Sequence, residues 1–424
     1  MTGNTPEVRA WRWVICACAF LILFVSNGMT LGGMAVFDIK LMDAISQASG
    51  TTVSVSDIKW RDTIMFLSAA VCGLGAGWLT DKVGVKPLLL TGLAMLAVGN
   101  LLYARIDQLT QAYWISAGFG AVLAMCGLMV NVYLISSWFD RQRGLAIGLV
   151  LAGTSLGNAF FPKLNTWLIS TAGWRQAFGW LAWIPLALLP VVFFAIRNGP
   201  MSAGKPSRAQ SAEPPRELPG HTIGQALSSR NFWIVASIAM CTFYSILGMT
   251  TNVFIYMSKS DYSPQVASTA VSILFIGGLV GKVISGFLAE NFGRKLMLLV
   301  GLALMFGGSV CLLLAISRTS TIALWTGLIF FGFGWGGIYT LIQLLSPDLF
   351  GMRSLGKVLA AINILDAAGG AAGPVVTGAL YVSSGSYFLP FAVISGLLLA
   401  AAIAASMLDM RKSAFAGKPS ARLA

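Results

Sequence analysis

The sequence predicts an all-α polytopic membrane protein with twelve transmembrane helices in two pseudo-symmetric six-helix halves. Of its 424 residues, 57% are hydrophobic and only 10% are charged, whereas soluble domains carry roughly 25% charged residues. Apolar stretches of about 20 residues, long enough to cross roughly 30 Å of hydrocarbon as a helix, recur along the whole chain. They lack the period-2 alternation of membrane barrel strands. A weak internal repeat divides these stretches into two sets of six.

The predicted spans are residues 13–37, 60–80, 86–104, 111–138, 144–170, 178–196, 230–258, 265–289, 295–316, 320–346, 353–382 and 385–408. The first is too long for a cleaved signal peptide and lacks a small-residue cleavage site, so we expect it to be retained. All six cysteines fall inside spans. They are expected to pack as small apolar residues rather than to form disulfides.

The longest break lies at 197–229, which is rich in proline, serine and charge and predicts a cytoplasmic linker. It separates an N-terminal six-helix half, 1–196, from a C-terminal half, 230–424, which ends in a short cytoplasmic tail. The outer loop 38–59 is the next longest and resembles a surface cap. Charged residues in and just after this loop are expected at the outer interface: Asp38, Asp57, Lys59, Arg61 and Asp62.

The basic residues predict the topology of the chain. With the N-terminus inside, 19 of the 28 lysines and arginines lie in cytoplasmic segments, 7 in outer segments and 2 within spans. Basic residues concentrate on the cytoplasmic side of membrane proteins, so both termini are expected there. The net charge of +13 therefore indicates topology rather than nucleic-acid binding. We expect a multi-pass protein of a bacterial inner membrane.

The two halves share sequence patterns. The segment 77–86 reads GWLTDKVGVK after the second span, and 286–295 reads GFLAENFGRK after the eighth. A second pair, 143–162 and 355–374, aligns a glycine near its start and a proline at its end. Parallel repeats of this kind are typical of transporters that alternate access around a site near mid-membrane, between the two halves.

The segment 77–86 predicts a tight cytoplasmic turn, because its glycines permit close backbone approach. Asp81 can accept hydrogen bonds from helix amides or pair with an arginine. This pattern resembles the major facilitator superfamily, and the resemblance implies a conformational latch between Asp81, the start of span eleven and Arg141 or Arg143. The alternative is a solvated turn. The candidate latch residues are Gly77, Asp81, Lys82, Gly84, Arg141, Arg143, Glu290, Gly293 and Arg294.

A narrower resemblance covers most of the chain. The stretch 335–351, WGGIYTLIQLLSPDLFG, is similar to the oxalate/formate antiporter and monocarboxylate porter branch. RGLAIGLVLAGTSLG (143–157), GWRQAF (173–178) and NFWIV (231–235) are similar to the same branch. The resemblance implies a transporter of small organic carboxylates.

Lys282 is the principal candidate for binding substrate. It lies eight residues before Glu290, about 12 Å from the turn along a helix. Ionisable residues at this depth usually face the bundle interior or a water-filled cavity. By resemblance, its position is that of a basic residue that binds the substrate carboxylate. The alternatives are a structural ion pair with Asp366 and snorkelling toward the interface.

Asp366 is the only carboxylate deep within a span. A buried carboxylate readily holds a proton unless it is paired. It is therefore a candidate for the coupling proton, with static pairing to Lys282 and direct substrate contact as alternatives. In some relatives a second substrate-binding cation occupies the position that Asn363 takes here, so Asn363 is a further candidate to bind the substrate. One cation and one acid fit a monoanion plus a proton better than exchange of a dianion.

Trp335 and Tyr339 lie four residues apart and therefore share one helix face. The resemblance implies that they line the cavity and clamp the organic part of the anion, whereas helix packing or an interfacial belt is the alternative. Asn131 and Thr30 are further polar groups within spans and are candidates to face the cavity.

The remaining residue types exclude several other classes of function. His221 is the only histidine and the sequence has no cysteine cluster, so we expect neither a zinc site nor a histidine-dependent catalytic triad. No phosphate-binding P-loop occurs, so transport should draw on a gradient. We thus expect no enzyme, metal or cofactor, but a proton-coupled transporter of small organic monocarboxylates that acts as a monomer. An exchanger or exporter of another metabolite or drug, with the same fold, is the alternative.

Overall fold

The computed structural model describes residues 6–139, 142–196, 220–351 and 353–410. Within these ranges the chain is almost entirely α-helical, and the β-pairing is a single isolated bridge between Gly220 and Gly351. The helices are α1 (Pro6–Asn27), α2 (Asp38–Ser49), α3 (Val55–Val83), α4 (Val85–Tyr103), α5 (Leu109–Met125), α6 (Leu128–Trp138), α7 (Arg143–Ala172), α8 (Trp174–Ala195), α9 (Ile223–Leu227), α10 (Arg230–Lys259), α11 (Pro264–Phe292), α12 (Arg294–Arg318), α13 (Thr321–Phe350), α14 (Leu355–Ser384) and α15 (Phe388–Ser406).

Membrane-length helices account for most of the described chain. Eleven segments are long and apolar enough to cross a bilayer. The second predicted span, 60–80, is not among these eleven but lies within α3, a helix of 29 residues. The predicted fold class, an all-α polytopic membrane protein, is thereby confirmed.

The chain forms two compact units. We call Met1–Ser207 with Thr250–Phe275 the N-terminal unit, and Arg208–Met249 with Ile276–Ala424 the C-terminal unit. The last part of α10 and the first part of α11 thus group with the N-terminal helices. Most of the predicted linker, 197–219, lies outside the described residues.

The predicted outer loop 38–59 is not a loop. Helix α2 occupies Asp38–Ser49, and α3 begins at Val55 after a short connection. Ser54 caps α3, since its hydroxyl accepts from the Asp57 amide at 3.2 Å and the Asp57 carboxylate accepts from the Ser54 amide at 2.9 Å. Such a capping box satisfies two amides that would otherwise lack partners at the helix start.

Between α1 and α2 the chain stays helical but changes its winding. A π-helical turn covers Gly28–Gly32, and a 3-10 turn covers Met34–Phe37. Two asparagines of α7 support this segment: the Asn158 side chain accepts from the Gly32 amide at 2.8 Å, and the Asn165 side chain donates to the Gly33 carbonyl at 2.9 Å. Side chains from a neighbouring helix thus stabilise a winding that is uncommon and often found at functional sites.

The fourth predicted span, 111–138, is broken in the middle. Helix α5 ends at Met125 and α6 begins at Leu128. The Asn131 side chain donates to the carbonyls of Cys126 and Gly127, at 2.8 and 2.9 Å. It therefore bonds the two carbonyls at the break, of which that of Gly127 also accepts from the Asn131 backbone amide at 3.3 Å.

Both copies of the repeated turn depend on glycine. Gly84 ends α3 with φ of 84°, and Gly293 ends α11 with φ of 89°. Residues with a Cβ rarely adopt such backbone angles. The predicted tight turns are therefore confirmed at the two equivalent glycines.

Helices α12 and α13 pack with their backbones in close contact. A Cβ added at Gly308 would lie 2.7 Å from the Gly327 carbonyl oxygen and 2.5 Å from the Phe331 amide nitrogen. Small residues that allow such approach are a principal means of helix association in membranes.

We expect the Gly308→Ala substitution to lower the free energy of unfolding by about 1–3 kcal/mol, because the methyl group collides with backbone atoms that cannot move aside. The matched control is Gly307→Ala on the neighbouring residue, where an added Cβ meets no atom within 4 Å. Thermal unfolding of the purified protein measures both variants. Equal stability of the two would contradict the close packing.

Candidate functional site

Lys282 lies on α11 where that helix approaches α13 most closely. A Cβ at Gly281 would overlap the Phe333 carbonyl oxygen, and one at Gly336 would lie 2.8 Å from the Lys282 amide nitrogen. Because glycines on both helices remove the side chains that would separate them, the two backbones touch around Lys282. The position of this lysine relative to α13 is therefore fixed by backbone contact.

The Trp335 indole lies one helical turn from Lys282. Its Cε2 atom would be 2.7 Å, and its Nε1 atom 3.1 Å, from a Cβ placed at Gly278. Gly278 precedes Lys282 by four residues, so both lie on the same face of α11. The absence of a side chain at Gly278 makes room for the ring. The structure thus brings Lys282 and Trp335, two of the predicted site residues, close together.

Tyr339 and Asp366 lie on α13 and α14 of the C-terminal unit. Tyr339 is 40% exposed, and its phenol interacts with the Gln343 side chain and lies within electrostatic range of Asp366. Asn363 and Asp366 are both half-buried on α14, three residues apart. The phenol of Tyr339 thus belongs to the surroundings of the one acid predicted deep in a span.

Within the described part of the chain, neither Lys282 nor Asp366 forms an ion pair with N···O within 4.0 Å. Both side chains are half-buried. A cation and an acid in such surroundings are costly when they lack partners, so they are the ionisable groups best placed to bind an ion.

The two candidates from the N-terminal unit, Thr30 and Asn131, donate hydrogen bonds to backbone carbonyls of their own segments. The Thr30 hydroxyl lies in the π-helical turn and donates to the Ser26 carbonyl at 2.7 Å. The Asn131 amide nitrogen is engaged at the break between α5 and α6, whereas its buried Oδ1 atom has no hydrogen-bond partner within the described ranges.

Four of the nine latch candidates have described side chains or turns: Lys82, Gly84, Gly293 and Arg294. Gly84 and Gly293 form the turns, and Lys82 is exposed. Arg294 donates to the Asp348 carboxylate and to the Leu344 carbonyl of α13, both at 2.6 Å. Its partner Asp348 belongs to the motif at 335–351 and was not predicted. The side chains of the other latch candidates lie outside the described residues: Gly77, Asp81, Arg141, Arg143 and Glu290.

A buried charge cluster in the N-terminal unit corrects the sequence prediction. Asp38, Lys59, Arg61 and Asp62 are each at most 4% exposed rather than interfacial. Lys59 pairs with Asp38 and, at 3.3 Å, with Asp62. Arg61 pairs with the same two acids at 2.7 and 3.0 Å. The cluster contains two acids and two bases, so its formal charges cancel.

The same cluster binds the end of α10. The Lys59 ammonium also donates to the Thr251 carbonyl, 192 residues along the chain. Three acceptors thereby satisfy the three donors of the ammonium. A balanced set of charges is the arrangement that makes the burial of four ionic side chains tolerable.

Membrane-length helices in two units are typical of a membrane transporter, and the C-terminal unit contains a cation and an acid with no ion pair among the described residues. The chain belongs to the Major Facilitator Superfamily, whose family model matches residues 14–374 and 262–423. A small-molecule substrate and a surrounding bilayer follow from membership of this family.

Similarity to individual relatives is distant but extends over most of the chain. Monocarboxylate transporter 13 of Bos taurus is 25% identical, over 93% of this chain and 88% of its own length. The MFS-type transporter pytF of Aspergillus terreus is 26% identical, over 69% of this chain and 94% of its own. The uncharacterized MFS-type transporter YhjX of Escherichia coli is 24% identical, over 72% and 74%. The predicted resemblance to the monocarboxylate branch is confirmed.

We expect Lys59→Met to destabilise the protein by about 3–5 kcal/mol, because it leaves two buried acids facing a single arginine. The second substitution Asp38→Asn should restore part of that stability, since one acid then faces one base. Thermal unfolding of the two variants measures the effect.

The matched control for this pair is Lys40→Gln, which removes a nearby exposed lysine that has no ion pair within the described residues. It should unfold like the unmodified protein. If Lys59→Met is as stable as this control, or if Asp38→Asn makes it worse, the cluster does not act as a balanced unit.

Proposed function

We propose that the protein is a proton-coupled secondary transporter of small organic monocarboxylates in a bacterial inner membrane, with both termini cytoplasmic, acting as a monomer. The observation that carries this proposal is Lys282: a half-buried lysine on a membrane helix, beside Trp335, with no ion pair within the described residues. A relative named monocarboxylate transporter supports the class of substrate.

The chemistry of the candidate site suits a monoanion. A lysine is a compact point charge with three donors and can hold one carboxylate, whereas arginine offers a planar fork that suits bidentate recognition. Trp335 supplies an apolar surface one helical turn away for the organic part of the anion. A carboxylate bound to Lys282 leaves that pair neutral, which lowers the cost of carrying the anion through the membrane interior.

Asp366 is the proposed site of the coupling proton. It is half-buried and has no ion pair within the described part of the chain, so protonation removes an isolated charge. Anion on Lys282 and proton on Asp366 together give a loaded carrier without unpaired charge at these two residues. Uptake of the acid should therefore rise as the external pH falls.

We expect Lys282→Ala to reduce uptake of monocarboxylates by at least about tenfold, since a charge-assisted hydrogen bond is lost. Lys282→Arg, which keeps the charge, should retain part of the uptake. A panel of radiolabelled acids, including acetate, lactate and benzoate, offered to proteoliposomes measures this. Lys163→Ala, which removes an exposed lysine from α7, is the control. Undiminished uptake by Lys282→Ala would contradict the proposal that Lys282 binds the substrate carboxylate.

Asp366→Asn should separate coupling from binding. We expect this variant to lose uptake driven by a pH gradient but to retain exchange of internal for external carboxylate, because exchange needs no net movement of protons. If uptake by the unmodified protein requires internal counter-substrate and ignores the pH gradient, the protein is an exchanger and the coupling proposal is wrong.

A further inference from the structure

A cavity of about 490 Å³ lies within the N-terminal unit, between the start of α2, the end of α7 and the junction of α10 with α11. With both termini in the cytoplasm, as the basic residues predict, all these helix ends lie on the outer side of the membrane. The cavity is distinct from the site around Lys282, which belongs to the C-terminal unit.

Two lysines line this cavity, Lys40 on α2 and Lys259 at the end of α10. Both are exposed, and neither forms an ion pair with another described residue. The nearby Asp38 is buried and already shared by Lys59 and Arg61. The exposed Asp261 is not part of the lining. In the part of the chain that the structure describes, the cavity wall therefore contains two cations and no carboxylate.

The rest of the lining combines apolar surface with five polar residues, Thr166, Ser170, Ser258, Tyr262 and Gln265. Ser258 lies in the wall, and its buried hydroxyl has no hydrogen-bond partner among the described residues. An unsatisfied buried hydroxyl is unfavourable, so it points to a missing polar partner. Apolar side chains from three parts of the chain complete the wall: Val36, Ile39, Ile169, Phe254 and Pro264.

We propose that this cavity is a second binding site, which takes an organic carboxylate with an apolar body. The carboxylate lies between Lys40 and Lys259 and accepts from Ser258, while the organic part contacts the apolar lining. Pockets of this size and composition typically enclose small organic ligands. On the outer side, such a site raises the local concentration of anions before they reach Lys282.

Binding of radiolabelled benzoate in the Lys282→Ala background isolates this cavity, because the other candidate site is then disabled. We expect benzoate binding to persist there and to weaken roughly tenfold when Lys40→Gln and Lys259→Gln are added, since exposed ion pairs contribute up to about fivefold each. Arg105→Gln, which removes an exposed cation elsewhere in the same unit, should change nothing. Benzamide, the neutral analogue, should not compete.

Unchanged benzoate binding in the Lys40→Gln/Lys259→Gln variant would overturn the proposal, as would equal competition by benzamide. The assay is repeated in phosphatidylcholine with and without phosphatidylglycerol. Suppression of binding by the anionic lipid would overturn the proposal in favour of a lipid headgroup site. Thermal unfolding of each variant, expected to match the parent, verifies folding.

This inference depends on the proposed transport function only through the choice of probe, and the two can fail separately. If carboxylate flux requires Lys282 but benzoate binding is unchanged when both cavity lysines are replaced, only the cavity site is contradicted. Cavity binding without carboxylate flux contradicts the transport function alone. In the otherwise unmodified protein, the double variant should raise the half-saturating concentration severalfold without lowering the maximal rate.

Discussion

The cost of placing charge in a low-dielectric interior governs this structure. An isolated ion loses its hydration there and must find a counter-ion, take up or release a proton, or face water. In the N-terminal unit four ionic side chains meet this constraint by cancelling one another, with two acids and two bases in mutual contact. In the C-terminal unit neither Lys282 nor Asp366 has an ion pair among the described residues. This difference is the reason for proposing that these two charges bind a ligand and a proton.

Close backbone packing determines where those charges lie. Gly281 and Gly336 allow α11 and α13 to touch beside Lys282, and Gly278 leaves space for the Trp335 ring. A lysine on a rigidly packed helix needs less ordering when a ligand binds. Under the proposed function, the glycines of this interface therefore position Lys282 although they have no side chain to offer.

Features governed by local sequence could be predicted, and those governed by distant contacts could not. Hydropathy alone identifies the spans, and the positive φ of Gly84 and Gly293 follows from the repeated turn. The charge cluster depends on contacts over longer distances, since Lys59 meets Asp38 21 residues away and Thr251 192 residues away. The sequence offered one signal for this cluster. Two bases, Lys59 and Arg61, and two acids, Asp38 and Asp62, lie within 25 residues of one another. The change of winding between α1 and α2 likewise depends on two asparagines of α7, which bind Gly32 and Gly33. The roles of Lys282 and Asp366 stay predictions.

The balanced cluster also bears on the cavity proposed at the outer side. Because its charges cancel, the cluster contributes little net field at the adjacent lining. The field there is then dominated by Lys40 and Lys259, the two lining cations, neither of which has an ion pair within the described residues. Had Asp38 remained unpaired, it would repel an incoming carboxylate from the same helix that presents Lys40. Pairing Asp38 with Lys59 and Arg61 therefore has two consequences. It holds the start of α2 in place, and it removes a negative charge that would oppose anion binding at Lys40.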